Sequence, residues 1–112
     1  MSKKELLLSR LNEIGDSLAQ RETALALIGL GSVGKDIDRL DSFSDLDFFA
    51  IVKNGSKVDY IDDLSWLSDI APIAYAFRNT MDGYKLLYAD GVFCEFAVFE
   101  MAELLQAAYG PG

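Results

Sequence analysis

Three carboxylates carry most of the chemistry available to this chain. Asp45 and Asp47 stand in Ser44-Asp45-Leu46-Asp47-Phe48-Phe49-Ala50-Ile51-Val52, and Glu95 in Val92-Phe93-Cys94-Glu95-Phe96-Ala97-Val98-Phe99. Apolar runs of this kind read as buried strands, where an unpaired carboxylate is costly to desolvate. Strand side chains alternate with a period of two, so the spacing predicts that Asp45 and Asp47 point the same way. Glu95 joins them if the two strands lie side by side. A positive group must then sit among them. With no His and a single Cys in the chain, the expected counter-charge is a hard cation that prefers oxygen ligands, Mg²⁺ or Mn²⁺.

A second motif precedes the aspartates. In Gly29-Leu30-Gly31-Ser32-Val33-Gly34, Gly31 lets backbone approach a phosphate with no Cβ in the way. Ser32 offers a hydroxyl and an amide N–H where a helix begins. The segment is not a P-loop, because Gly34-Lys35 is followed by Asp36. It does spell G-x-G-x-x-G, and Asp45 or Asp47 could pose as the ribose-binding acid of a dinucleotide fold, but two acids on one face exceed what that fold needs.

Each of these residues also has a plainer role open to it. Asp45 can cap or turn into its strand, and Glu95 can stand on a half-exposed one. Lys35 and Arg39 either contact a triphosphate or line a solvated helix face. Asp36, Asp38 and Asp41 lack the Gly and terminal Glu of a calcium loop and read as a solvated turn.

The elements that must position these groups follow from periodicity. Leu7, Leu11, Ile14 and Leu18 recur at three- and four-residue steps, which predicts an amphipathic helix over 3–21. A short apolar run over 24–30 suits a central strand, with a short helix over 33–40 and a second strand over 46–52, closed by Asn54-Gly55. Val58, Ile61, Leu64, Leu67 and Ile70 recur at helical spacing around Trp66, before Pro72. Strands over 73–77, 84–89 and 92–99 follow, with Asp82-Gly83 and Asp90-Gly91 as turns, so these three should be antiparallel neighbours. A last helix over 100–109 meets Gly110-Pro111-Gly112. The expected class is α+β: a mixed sheet of about five strands with helices packed on it.

Composition narrows the function classes. The 112 residues, 51% of them hydrophobic and 25% charged, suit one globular domain. The net charge of -8 repels a phosphate backbone, so stable nucleic-acid binding is not expected. No apolar run approaches the length of a membrane span and no secretory signal is evident, so a soluble, cytoplasmic protein is expected. Cys94, alone in an apolar strand, excludes an internal disulfide and reads as a small buried hydrophobe. Trp66, Tyr84 and Tyr88 read as core or rim aromatics.

Leu30-Gly31-Ser32, twelve intervening residues, then Asp45-Leu46-Asp47-Phe48 resembles the nucleotidyltransferase signature of the DNA polymerase beta superfamily. The stretch from Gly31 through Phe49 looks most like bacterial lincosamide and aminoglycoside nucleotidyltransferases. The resemblance implies a fold of that type and a Mg²⁺-dependent transfer of a nucleoside monophosphate, releasing pyrophosphate. The donor would be a nucleoside triphosphate, ATP first, and the acceptor a hydroxyl on a small molecule such as an antibiotic.

By the same resemblance, Asp45 and Asp47 hold two Mg²⁺ ions, with Mn²⁺ an alternative. Glu95 completes the site as ligand or as general base, and Gly31, Ser32, Lys35 and Arg39 contact the nucleotide. Family members often carry Asp where this chain has Glu95, which leaves that residue's role open between the two.

Two other readings stand beside this one: a minimal nucleotidyltransferase of a toxin-antitoxin pair that modifies a protein partner, and a non-catalytic nucleotide-binding regulatory domain. The ending at Gly-Pro-Gly leads us to expect a C-terminal acceptor-binding domain outside this chain. Apolar surface left exposed without it would favour a homodimer.

Overall fold

The computed structural model describes residues 2–29 and 45–109. Gly31, Ser32, Lys35, Arg39 and the helix expected over 33–40 lie outside the described residues.

The first helix, α1 (Lys3–Ala19), starts at a reciprocal cap: Ser2 Oγ accepts the Glu5 N–H at 3.1 Å, and Glu5 Oε1 accepts the Ser2 N–H at 2.9 Å. Its buried stripe is Leu7, Arg10, Ile14 and Leu18. The arginine is tolerated there because its guanidinium lies 4.4 Å above the Tyr88 ring and bonds both carboxylate oxygens of Asp90.

Five strands form one mixed sheet: β1 (Ala24–Gly29), β2 (Leu46–Val52), β3 (Ile73–Thr80), β4 (Gly83–Tyr88) and β5 (Phe93–Glu100), in the order β1-β2-β5-β4-β3. β2 and β5 run parallel; the other three pairings are antiparallel. The hairpins expected at the C-terminal end are present, and the α+β class with a five-stranded mixed sheet holds. Gly55 and Gly91 take the positive φ values (89° and 96°) that their turns require.

Alternation sorts the sheet into two faces. Leu46, Phe48, Ala50 and Val52 of β2, Cys94, Phe96 and Val98 of β5, and Leu86 and Tyr88 of β4 are buried on one face, which packs against α1 and the aromatic centre at Trp66. The indole meets Phe48, Tyr60 and Phe96 edge to face and donates Nε1–H to the Tyr60 carbonyl. No Cβ fits at position 83, where it would lie 1.8 Å from the Phe96 carbonyl oxygen.

Two expectations are corrected. The apolar run over 24–30, expected as a central strand, is β1, which stands at one end of the sheet among the described residues, pairs with β2 and is half-exposed or exposed along its length. The helical pattern over 58–70 is two short helices, α2 (Lys57–Asp62) and α3 (Ser65–Ser68). Asp63 is extended, and its Oδ1 accepts the Ser65 N–H at 2.9 Å, a local turn that competes with the helical ladder. The last helix, α4 (Met101–Tyr109), follows β5 directly. Among the described residues no helix is long and apolar enough to cross a membrane.

Candidate functional site

The central parallel pair decides which acids meet. β2 and β5 are in register with Asp47 opposite Glu95, so the two carboxylates stand side by side on the face turned away from the main core. The row continues to Lys85, opposite Glu95 on β4, and to Phe77 on β3. A cation from the protein itself thus flanks the acids, a neighbour that strand spacing alone could not reveal.

This face is half-exposed rather than buried, since Asp47, Phe49, Glu95 and Ala97 are all partly accessible. Desolvation therefore demands a counter-charge less strongly than a fully buried pair of strands would.

Asp45 behaves differently. It lies one residue before β2 and, like Asp47, is half-buried. Its N–H donates to the Phe93 carbonyl at 2.7 Å, and its Oδ2 accepts the Phe93 N–H at 3.0 Å. Oδ1 lies 3.4 Å from Lys3 Nζ, at the start of α1. The carboxylate thus satisfies the first N–H of β5 and anchors the helix, the plainer role weighed for it above.

Glu95 has its own positioner. Asn79 Nδ2 donates to Glu95 Oε2 at 3.0 Å, reaching from β3 across β4 to β5. A register shift between Arg78 and Thr80 makes this possible, because a bulge re-aims the strand at that point. The expected third strand stopped at Phe77, so Asn79 and Thr80 were missed. The signal available was the polar Arg-Asn-Thr ending of an otherwise apolar segment.

Asp47, Phe49, Asn79, Thr80, Glu95 and Ala97 line an open groove of about 300 Å³. A larger hollow of about 570 Å³ is lined by Glu13, Asp16, Gln20, Arg21 and Asp69, but Arg21 there lies 3.8 Å from Asp69 and no strand presents a group into it. We therefore take the groove as the candidate site.

Its donor set suits a hard cation in one specific way. Among the described residues no group of three or more acids and thiols gathers closely enough to hold an ion. Mg²⁺, however, is commonly held by one or two carboxylates, with substrate phosphates and water completing the shell. Asp47 and Glu95 together offer two neighbouring carboxylates, a donor set of that size.

No protein-family model matches the chain, and no curated protein sequence matches it.

Proposed function

We propose that this domain transfers a nucleoside monophosphate from a nucleoside triphosphate, ATP first, to a hydroxyl of a small acceptor such as a lincosamide or aminoglycoside. The observation that carries the reading is the pairing of Asp47 with Glu95 across parallel strands at the floor of a groove. The sequence Gly31-Ser32 through Asp47 adds the spacing that suggested the chemistry.

In this reading Asp47 and Glu95 would hold Mg²⁺, which when bound would neutralise charge on the transferring phosphoryl group and acidify the acceptor hydroxyl. The residues themselves supply the rest. Asn79 fixes Glu95 through Oε2, and Glu95 would serve either as metal ligand or as the base that takes the proton of the attacking hydroxyl. Phe49 and Ala97 give the acceptor an apolar wall, and Thr80 a polar contact. Holding donor and acceptor in one groove supplies the orientation that an in-line displacement requires.

The engagement of Asp45 by Phe93 and Lys3 favours a second reading, a nucleotide-binding regulatory domain without turnover. One experiment separates them. The chain is incubated with labelled ATP, Mg²⁺ and a panel of lincosamides and aminoglycosides, and pyrophosphate and labelled drug are measured. Transfer predicts both products, with Glu95→Gln slowing their formation by about 10²–10⁴-fold and Asp47→Asn abolishing it, while the melting temperature is retained. ATP binding with no pyrophosphate leaves the regulatory reading, and absence of Mg²⁺-dependent ATP binding removes both.

A further inference from the structure

Among the described residues β3 is a sheet edge with no element covering either face. Residues 74–80 are all exposed, with Tyr75 at 51% and Phe77 at 49%, and among the described residues no strand pairs with its outer side. Soluble proteins usually blunt an edge of this length with lysine, proline or inward charge. β3 has one charge, Arg78, and its guanidinium is turned into the hairpin end, donating to the carbonyls of Thr80 and Met81. Among the described residues nothing pairs with the outer backbone of Ala74-Tyr75-Ala76-Phe77, and the stretch carries no charge to repel a partner.

Two observations select a second copy of this chain as that partner. The first is charge. A protein of net charge -8 repels itself over most of its surface, whereas β3 carries no acid across its whole length, so two copies approach there with least opposition. The second is chemical symmetry about Ala76. Antiparallel pairing around a two-fold axis at that residue sets Ala76 opposite itself and Tyr75 opposite Phe77 of the second copy, twice over. Tyr75 and Phe77 lie on one face and already stack within the chain at 6.3 Å and 21°. The pairing therefore assembles four rings in one row, an arrangement that favours antiparallel strands.

We propose that β3 is a self-association edge, joining two five-stranded sheets into one continuous sheet with both candidate grooves opening on the same side. The proposal is independent of nucleotidyl transfer and stands whether or not the groove turns over substrate.

Cross-linking at the axis tests it. Facing Cα atoms of antiparallel neighbours lie about 4.5–5.5 Å apart, within the roughly 4.4–6.8 Å span of a disulfide. Ala76→Cys should therefore form a reducible dimer under mild oxidation. The control Val58→Cys, on an exposed α2 position, should stay monomeric, and buried Cys94 is out of reach in both. In sedimentation equilibrium the unsubstituted chain should show a monomer–dimer equilibrium that Phe77→Lys weakens at least about tenfold, with no loss of melting temperature.

Equal cross-linking of the two cysteine variants would overturn the proposal, as would a dimer unchanged by Phe77→Lys. A chain that stays monomeric up to about 1 mM would do the same, and protection of the β3 amides from hydrogen exchange only in the presence of a different protein would give the edge to another partner.

Discussion

Cys94 shows how a single position on β5 can be chemically silent. It is 1% exposed in the core, and burial pushes its thiol up to about 12. The thiolate is the reactive species, so at pH 8 the folded protein holds almost none. We expect Ellman's reagent to label the folded chain about 10³-fold more slowly than the urea-unfolded chain, whose thiol has an ordinary pKa near 8.5. Rapid stoichiometric labelling without denaturant would contradict the buried placement.

The carboxylates teach the complementary lesson. Period-two alternation was enough to read Asp47 and Glu95, because each lies inside a strand. What it did not reveal is the partner of Asp45, whose carboxylate lies one residue before the strand and accepts the Phe93 N–H. Asn79 was out of reach for another reason: its contact with Glu95 spans two strand-to-strand steps and depends on a bulge.

Among the elements, α1 depends on a polar tie as well as on its apolar stripe. Arg10 joins the helix to the turn between β4 and β5 through Asp90. The Arg10 hydrogen bond holds the Asp90 carboxyl below its usual range, with burial opposing it. A carboxyl lowered in the folded state stabilises above the unfolded pKa near 4 and loses that contribution as pH falls through the folded value. Asp90→Asn should therefore lower the urea midpoint at pH 7, and the difference from the parent should fade as pH falls below the unfolded value and through the lower folded one. The Asp90 side chain is 42% exposed, so solvent screening keeps the expected loss to about 0.5–1 kcal/mol. A gap that persisted unchanged in acid would mean that the carboxylate charge contributes nothing.

The split of the helical pattern into α2 and α3 belongs to this scale too. Apolar spacing continued through 58–70, and only the side chain of Asp63 bonding to Ser65 interrupted it.

For the whole molecule, the aromatic cluster around Trp66 is the centre against which the helices and the sheet close. The indole is 1% exposed and touches three rings. Trp66→Ala should cost about 3–5 kcal/mol, a large share of the roughly 5–15 kcal/mol that holds a domain folded. Urea unfolding followed by circular dichroism measures the loss. In the parent chain, fluorescence from this sole tryptophan and circular dichroism should give coincident midpoints; separated transitions would mean that the core does not unfold as one unit.

The amino-acid sequence by itself determined which residues alternate in the strands, where the turns at Gly55 and Gly91 fall, and the helices α1 and α4. These are properties of a few neighbouring residues: side-chain period, glycine's freedom at Gly55 and Gly91, and capping. Only the tertiary structure decided that β2 and β5 pair in parallel with Asp47 beside Glu95, that Asn79 and Lys85 flank that pair, and that β3 stands at the edge of the described sheet. Strand order and register arise from long-range packing of the whole apolar set, and no local spacing encodes them.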